Sequence, residues 1–156
     1  TLKYYRWYST ETRKYTAYCS DSIYGIVDSA TVLRCEDDAA SVILGDEWRI
    51  PTREEMEELL DECEWRWVSD YYTRDTGKLG TSKRNGNTIF LPASGRLYGN
   101  KKGYGDGGLY QTSSLDKDVS LYVWYFSFNS TREDLVNLLP RYFGTSIRPV
   151  KVTKRP

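Results

Sequence analysis

At 156 residues the chain has the size of one domain, long enough to bury most of its apolar surface without a metal or a crosslink. Its 22 basic and 22 acidic residues cancel, and no long basic run stands out, which argues against a nucleic-acid or anionic-membrane partner. There is no histidine, so the commonest general base, the Ser–His and Cys–His nucleophile pairs and the commonest transition-metal ligand are excluded.

The first twenty residues are crowded with rings. Tyr4, Tyr5, Trp7 and Tyr8 are irregularly spaced and predict an extended or looped segment pinned by aromatic contacts. Turn chemistry follows around Tyr24-Gly25. A short helix is expected within Val32–Leu44. Asp37 is its expected N-cap, Val42, Ile43 and Leu44 its apolar face with Ala39 and Ala40, and Gly45 its C-terminal glycine. The clearest helix opens at Thr52. Thr52 and Glu55 form a capping-box pattern, and Met56, Leu59, Leu60 and Cys63 fall on one stripe. The acidic residues Glu54, Glu57, Glu58, Asp61 and Glu62 cover the other faces and read as a solvated surface.

After Cys63 the period shortens to two. Trp65 and Trp67 alternate with polar residues, as on a strand with one buried face. Runs at Lys78–Lys83 and Thr88–Leu91 flank Asn85-Gly86, the strongest short hairpin signal. Ile89-Phe90-Leu91 is apolar throughout and reads as a central strand ended by Pro92. Residues 95–108 hold six glycines, interleaved with Tyr98 and Tyr104, and predict a long surface loop; neither a dinucleotide-binding fingerprint nor a phosphate-loop lysine is in place. Residues 119–128 are β-branched and aromatic and form a strand. Local rules suggest a helix at 131–139, stopped by Pro140, and a strand over Thr145–Val152. No apolar run approaches the roughly 18 residues of a membrane-spanning helix.

Five ordered blocks carry a family likeness. They are D-D-A-A at Asp37–Ala40, W-R-I-P-T at Trp48–Thr52, C-E-W-R-W at Cys63–Trp67, N-G-N-T-I-F-L-P-A at Asn85–Ala93 and R-Y-F-G-T-S-I-R-P-V at Arg141–Val150. Over about Tyr15 to Val150 the chain resembles the Fibrobacter succinogenes major paralogous domain of gut Bacteroidetes, allied to the C-type-lectin-like fold. The resemblance implies one compact α+β domain over 1–156, with a twisted, mostly antiparallel sheet, one or two helices and long loops. It implies a secreted or lipid-anchored protein at the extracellular or cell surface. An earlier stretch of the family pattern has no counterpart before Thr1, so a truncated or processed chain with an open sheet edge is expected. The family also has a hairpin where local rules place the 131–139 helix, and the hairpin is the preferred expectation there. Gln111 stands where the family pattern has a ring.

Candidate chemistry is sparse. Cys19, Cys35 and Cys63 match no zinc spacing, and an odd, sparse set favours buried free thiols over one disulfide with a spare. Trp48, Arg49 and Arg148 read as scaffold, Trp48 in the core and Arg49 bonded to a carbonyl or a carboxylate near the helix. Asp106, Asp116 and Asp118 are the oxygen ligands nearest to a calcium set, but the signatures of calcium-dependent lectins are absent. No catalytic residue, metal site or cofactor is therefore expected. The expected function is a non-catalytic binding module. Its glycan or protein ligand would meet a loop face of Tyr98, Tyr104, Asp106, Tyr110, Gln111, Trp124 and Arg132, where rings stack and polar groups orient. The alternatives are a structural adhesin or assembly subunit joined through an edge strand, and a remote enzyme relative without identifiable catalytic residues.

Overall fold

The computed structural model describes residues 5–28, 30–69, 76–98, 101–103, 106–137 and 139–152. Two short helices pack against antiparallel sheets, an α+β architecture. In chain order the strands are β1 (Tyr8–Ser9), β2 (Lys14–Tyr15), β3 (Trp48–Arg49), β4 (Cys63–Ser69), β5 (Thr76–Ser82), β6 (Thr88–Pro92), β7 (Arg96–Tyr98), β8 (Lys101–Gly103), β9 (Gly107–Leu115), β10 (Val123–Asn129), β11 (Glu133–Val136) and β12 (Val150–Lys151). The helices are α1 (Ala39–Leu44) and α2 (Arg53–Glu62). Two three-stranded sheets, β4-β5-β6 and β11-β10-β9, form the body, and β1-β2, β3-β12 and β7-β8 are two-stranded ribbons. Among the described residues no helix is long and apolar enough to cross a membrane.

Strand β10 explains the packing. Its sequence, V-W-Y-F-S-F-N, lacks polar alternation because both of its faces are buried. Phe126 and Phe128 point into one core with Met56, Leu91 and Tyr110. Val123 and Tyr125 point into another with Tyr18 and Leu115. The pairing with β9 shifts register between Val123 and Tyr125, so Trp124 sits at an irregularity. Gly108 of β9 lies directly against the Phe128 ring, and a Cβ there would overlap it.

Helix α2 forms as its residues dictate. Thr52 Oγ1 accepts the Glu55 N–H at 3.3 Å, and Glu55 Oε2 accepts the Thr52 N–H at 2.9 Å, closing the capping box. Met56 is buried, with Leu59 and Leu60 packed beside it. Arg49 donates two hydrogen bonds to Glu55, at 2.6 and 2.5 Å, and a longer one to the Ile50 carbonyl, so its scaffold role holds. Trp48, by contrast, is only half-buried and belongs to neither core.

Helix α1 is shorter than its apolar residues suggest. Its N-cap is Asp38, not Asp37, which closes a 3₁₀ turn over Cys35–Asp37. The Asp38 side chain is 3% exposed. Oδ1 accepts the N–H groups of Ala40 (2.8 Å) and Ser41 (3.2 Å), and Oδ2 accepts that of Ile50 (2.8 Å). Ser41 Oγ also donates to the Trp48 carbonyl at 2.7 Å. These bonds turn Ala40 and Ser41 inward, so Val42, Ile43 and Leu44 face solvent and the expected apolar face is not the buried one.

Of the remaining expectations some change and some stand. β5, not β6, is central in its sheet, because Ile89–Leu91 pairs on one side only. The Asn85-Gly86 hairpin forms, with Gly86 at φ 75°, as a tight turn between β5 and β6 requires. The glycine-rich stretch is not one loop: it contains β7 and β8 and opens β9. Residues 131–139 hold no helix among those described, and β11 pairs with β10 as a hairpin. Here β10 offers a complete ladder of partners, which outweighs the local helical pattern. Only Val150–Lys151 of the expected final strand is a strand. All three thiols are free, and Cys35 is exposed, contrary to the expectation that all would be buried.

The two body sheets are also tied by charge. Lys78 of β5 is 4% exposed, and its ammonium donates to Glu133 of β11 at 2.5 Å.

Candidate ligand-binding cleft

The seven residues expected to form one site do not converge. Tyr110 is 4% exposed, stacks on Phe128 at 5.9 Å between centroids, and donates its hydroxyl to the Pro92 carbonyl at 3.0 Å. It is a core residue. Gln111, its neighbour on β9, points to the opposite face. Trp124 lines a separate polar hollow of about 300 Å³ and carries the Arg53 guanidinium over its ring at 3.9 Å, so one face of the indole is occupied. Asp106 is exposed just before β9. Arg132 is exposed in the β10–β11 turn, where its N–H donates to Asn129 Oδ1 at 3.0 Å. Tyr98 ends β7, and Tyr104 lies outside the described residues.

Gln111 instead opens onto a cleft of about 440 Å³ built from parts of the chain far apart in sequence. Tyr5, Trp7 and Tyr18 supply one wall. Trp7 meets Tyr5 and Tyr18 edge to face, at 5.4 and 5.3 Å. The segment after β11 supplies another, where Tyr142 and Phe143 stack at 5.3 Å and Thr145 donates to Gln111 Oε1 at 3.3 Å. Backbone bonds hold that segment in place. Gly144 exchanges N–H and C=O bonds with Leu97 of β7, Gln111 N–H donates to the Ser146 carbonyl at 2.9 Å, and Ser146 N–H donates to that of Leu109 at 3.1 Å. Leu115 and Val123 line the same cleft from the second core.

Among the described residues two charged groups line it. Asp37 accepts the Tyr18 hydroxyl and faces Arg6 at 3.3 Å. Arg141 is 2% exposed and donates to the carbonyls of Tyr18 (2.7 Å) and Ala17 (3.1 Å). Its guanidinium carbon lies 3.8 Å from the centre of the Tyr15 ring and 5.6 Å from that of Tyr5. Burial raises the Tyr5 phenol above its ordinary range, against the pull of Arg141. Tyr18 is pushed up to about 12, by desolvation first and by its bond to Asp37 second. Both phenols therefore remain protonated at neutral pH and act as hydrogen-bond donors rather than bases.

A further cleft of about 520 Å³ lies beside α2, floored by Met56, Leu59 and Ile89 and bordered by Glu58 and Arg148. No aromatic residue lines it among the described residues, and its floor is the scaffold helix.

Of the aromatic cleft's residues, sequence reasoning picked out Gln111 for a site and missed Arg141, Asp37 and Thr145. The ring-rich opening and the R-Y-F-G-T block were both visible, but nothing local says that they meet. No protein family model, curated protein or solved structure matches the chain.

Proposed function

We propose that the chain is a non-catalytic binding module of the Fibrobacter succinogenes major paralogous family, with a C-type-lectin-like arrangement of its sheets, acting outside the cell or at its surface. The five sequence blocks support the family reading, and the α+β architecture with short helices is compatible with it. The ligand is a glycan, held in the aromatic cleft rather than on the loop face. One observation carries this reading: Tyr5, Trp7, Tyr18, Tyr142 and Phe143 share a 440 Å³ cleft with the hydrogen-bonding side chains of Gln111 and Thr145. Ligand sites are typically hollows of roughly 300–1,000 Å³ with apolar walls and a few placed polar groups. The half-buried Tyr5, Trp7, Tyr142 and Phe143, backed by the buried Tyr18, can accept the apolar side of a sugar, while an amide and a hydroxyl orient its hydroxyls.

The test is a glycan array followed by calorimetric titration of the strongest ligand. Gln111→Ala and Thr145→Val are expected to weaken binding about tenfold each, the size of one well-made hydrogen bond. Arg132→Ala, in the β10–β11 turn, is expected to leave it unchanged. Unchanged binding in the Gln111 and Thr145 variants, with loss in the Arg132 variant, would return the site to the loop face.

A further inference from the structure

The cleft's own lining carries one charge of each sign, Asp37 and Arg141, but further guanidiniums gather behind its aromatic walls. Four guanidiniums lie over rings of its walls: Arg6 at Trp7 (5.4 Å), Arg34 at Tyr18 (5.4 Å), Arg96 at Phe143 (5.7 Å) and Arg141 at Tyr5 (5.6 Å). Two of them face carboxylates, Arg6 at Asp37 (3.3 Å) and Arg34 at Asp28 (3.5 Å). Among the described residues Arg96 and Arg141 face none within 4 Å.

Arg141 is the sharper case. It is almost wholly buried, its two terminal nitrogens donate to neutral carbonyls, and among the described residues its Nε has no hydrogen-bond partner. Carbonyls and the Tyr15 and Tyr5 rings hold this buried cation without a carboxylate, and natural proteins normally place an anion beside a buried charge. Of the four guanidiniums at its walls, two therefore stand without a carboxylate among the described residues, in a chain whose charges otherwise cancel.

We infer that the cleft takes an acidic saccharide, whose carboxylate or sulfate supplies the missing counter-charge. The inference rests on the glycan reading above and adds the ligand's charge to it. The anion would lie against the Phe143 wall, where the Arg96 guanidinium stands 5.7 Å from the ring, and would feel the field of Arg141, a buried lining residue whose Nε is sealed from solvent. With water partly excluded by the rings, that charge acts at a lower effective dielectric than in bulk.

The experiment titrates the full chain with four probes of similar length: an oligogalacturonate, its methyl ester, a sulfated galactose oligosaccharide and its unsulfated counterpart. At low salt each acidic probe is expected to bind at least about tenfold tighter than its neutral match, and the advantage shrinks as salt rises. The uronate and sulfate arms separate the two anion types. Arg96→Gln, an exposed position that should not disturb folding, is expected to reduce the acidic-to-neutral ratio several-fold, with near-ultraviolet circular dichroism unchanged. Equal binding of acidic and neutral probes would overturn the charge inference and leave the glycan module standing. Binding of none of the four, nor of any array glycan, would overturn both. An unchanged ratio in Arg96→Gln would overturn the assignment of the charge to this cleft.

Discussion

Replacing Asp38 by alanine should be among the more damaging single changes outside the cores. The carboxylate is buried and accepts three backbone N–H groups, two at the start of α1 and one at Ile50. Losing the helix cap alone costs about 1 kcal/mol. The Ile50 N–H is then left buried without an acceptor, which costs a further 1–3 kcal/mol or so. A total of about 3 kcal/mol corresponds, for a domain of this size, to a fall in Tm of roughly 6–12 °C. Urea unfolding followed by circular dichroism measures it directly, with the slope m expected to stay constant. Asp38→Asn retains one acceptor oxygen but turns an N–H₂ towards one of the three donors, so its loss should fall between wild type and alanine. A cost below about 1 kcal/mol for Asp38→Ala would refute the reasoning, because it would mean that water or a neighbour satisfies those donors.

Three further outcomes are expected. Glu133→Ala strands the buried Lys78 ammonium and should destabilise by about 3–5 kcal/mol, whereas Lys78→Met should cost clearly less; the reverse order in denaturant midpoints would contradict the ion-pair reading. Gly108→Ala drives a methyl into the Phe128 ring and should cost about 1–3 kcal/mol by thermal unfolding, and a neutral result would refute the close approach. Stability should fall in acid. Arg49 holds Glu55 below the ordinary carboxylate range, and Asp28 and Asp116 are also lowered because hydrogen-bond donors outweigh the opposing desolvation. Depressed folded-state values mean that this stability is fully present above the unfolded carboxylate pKa of about 4 and is lost as pH falls through the folded values. Glu55→Gln should flatten part of that acid limb in a pH series of urea midpoints, and an unaltered limb would remove Glu55 from the account.

Much of the scaffold was legible because its signals are local. The capping box of Thr52 and Glu55 sets a helix start through bonds within four residues, and α2 begins where that pattern says. The Asn85-Gly86 turn is equally self-contained, since Gly86 alone provides the positive φ. The alternation of Trp65 and Trp67 with polar residues likewise appears as β4. Residues 131–139 satisfy helix rules, yet β10 captures Glu133–Val136 as a strand, in the hairpin preferred over that local pattern. Where the reading failed, a distant contact decided. Val42, Ile43 and Leu44 look like a core face, yet the bonds from Asp38 and Ser41 turn the helix so that they face water. Tyr110 and Gln111 seemed to share one surface, although adjacent strand positions point to opposite faces.

The candidate site shows the same division more strongly. By itself the sequence determined the supply of rings, the absence of histidine and the presence of arginines in pairable numbers, because those are matters of composition. It also determined α2 and the β5–β6 turn, whose energies close over a few residues. Only the tertiary structure decided that the ring-rich opening would meet Arg141, and that Gln111 rather than Tyr110 would face the space between them. The Arg141 guanidinium reaches carbonyls more than 120 positions earlier in the chain, at Ala17 and Tyr18. Contacts of that separation leave no periodicity to read, so the cleft exists only once β9 and β10 bring the two ends of the chain together.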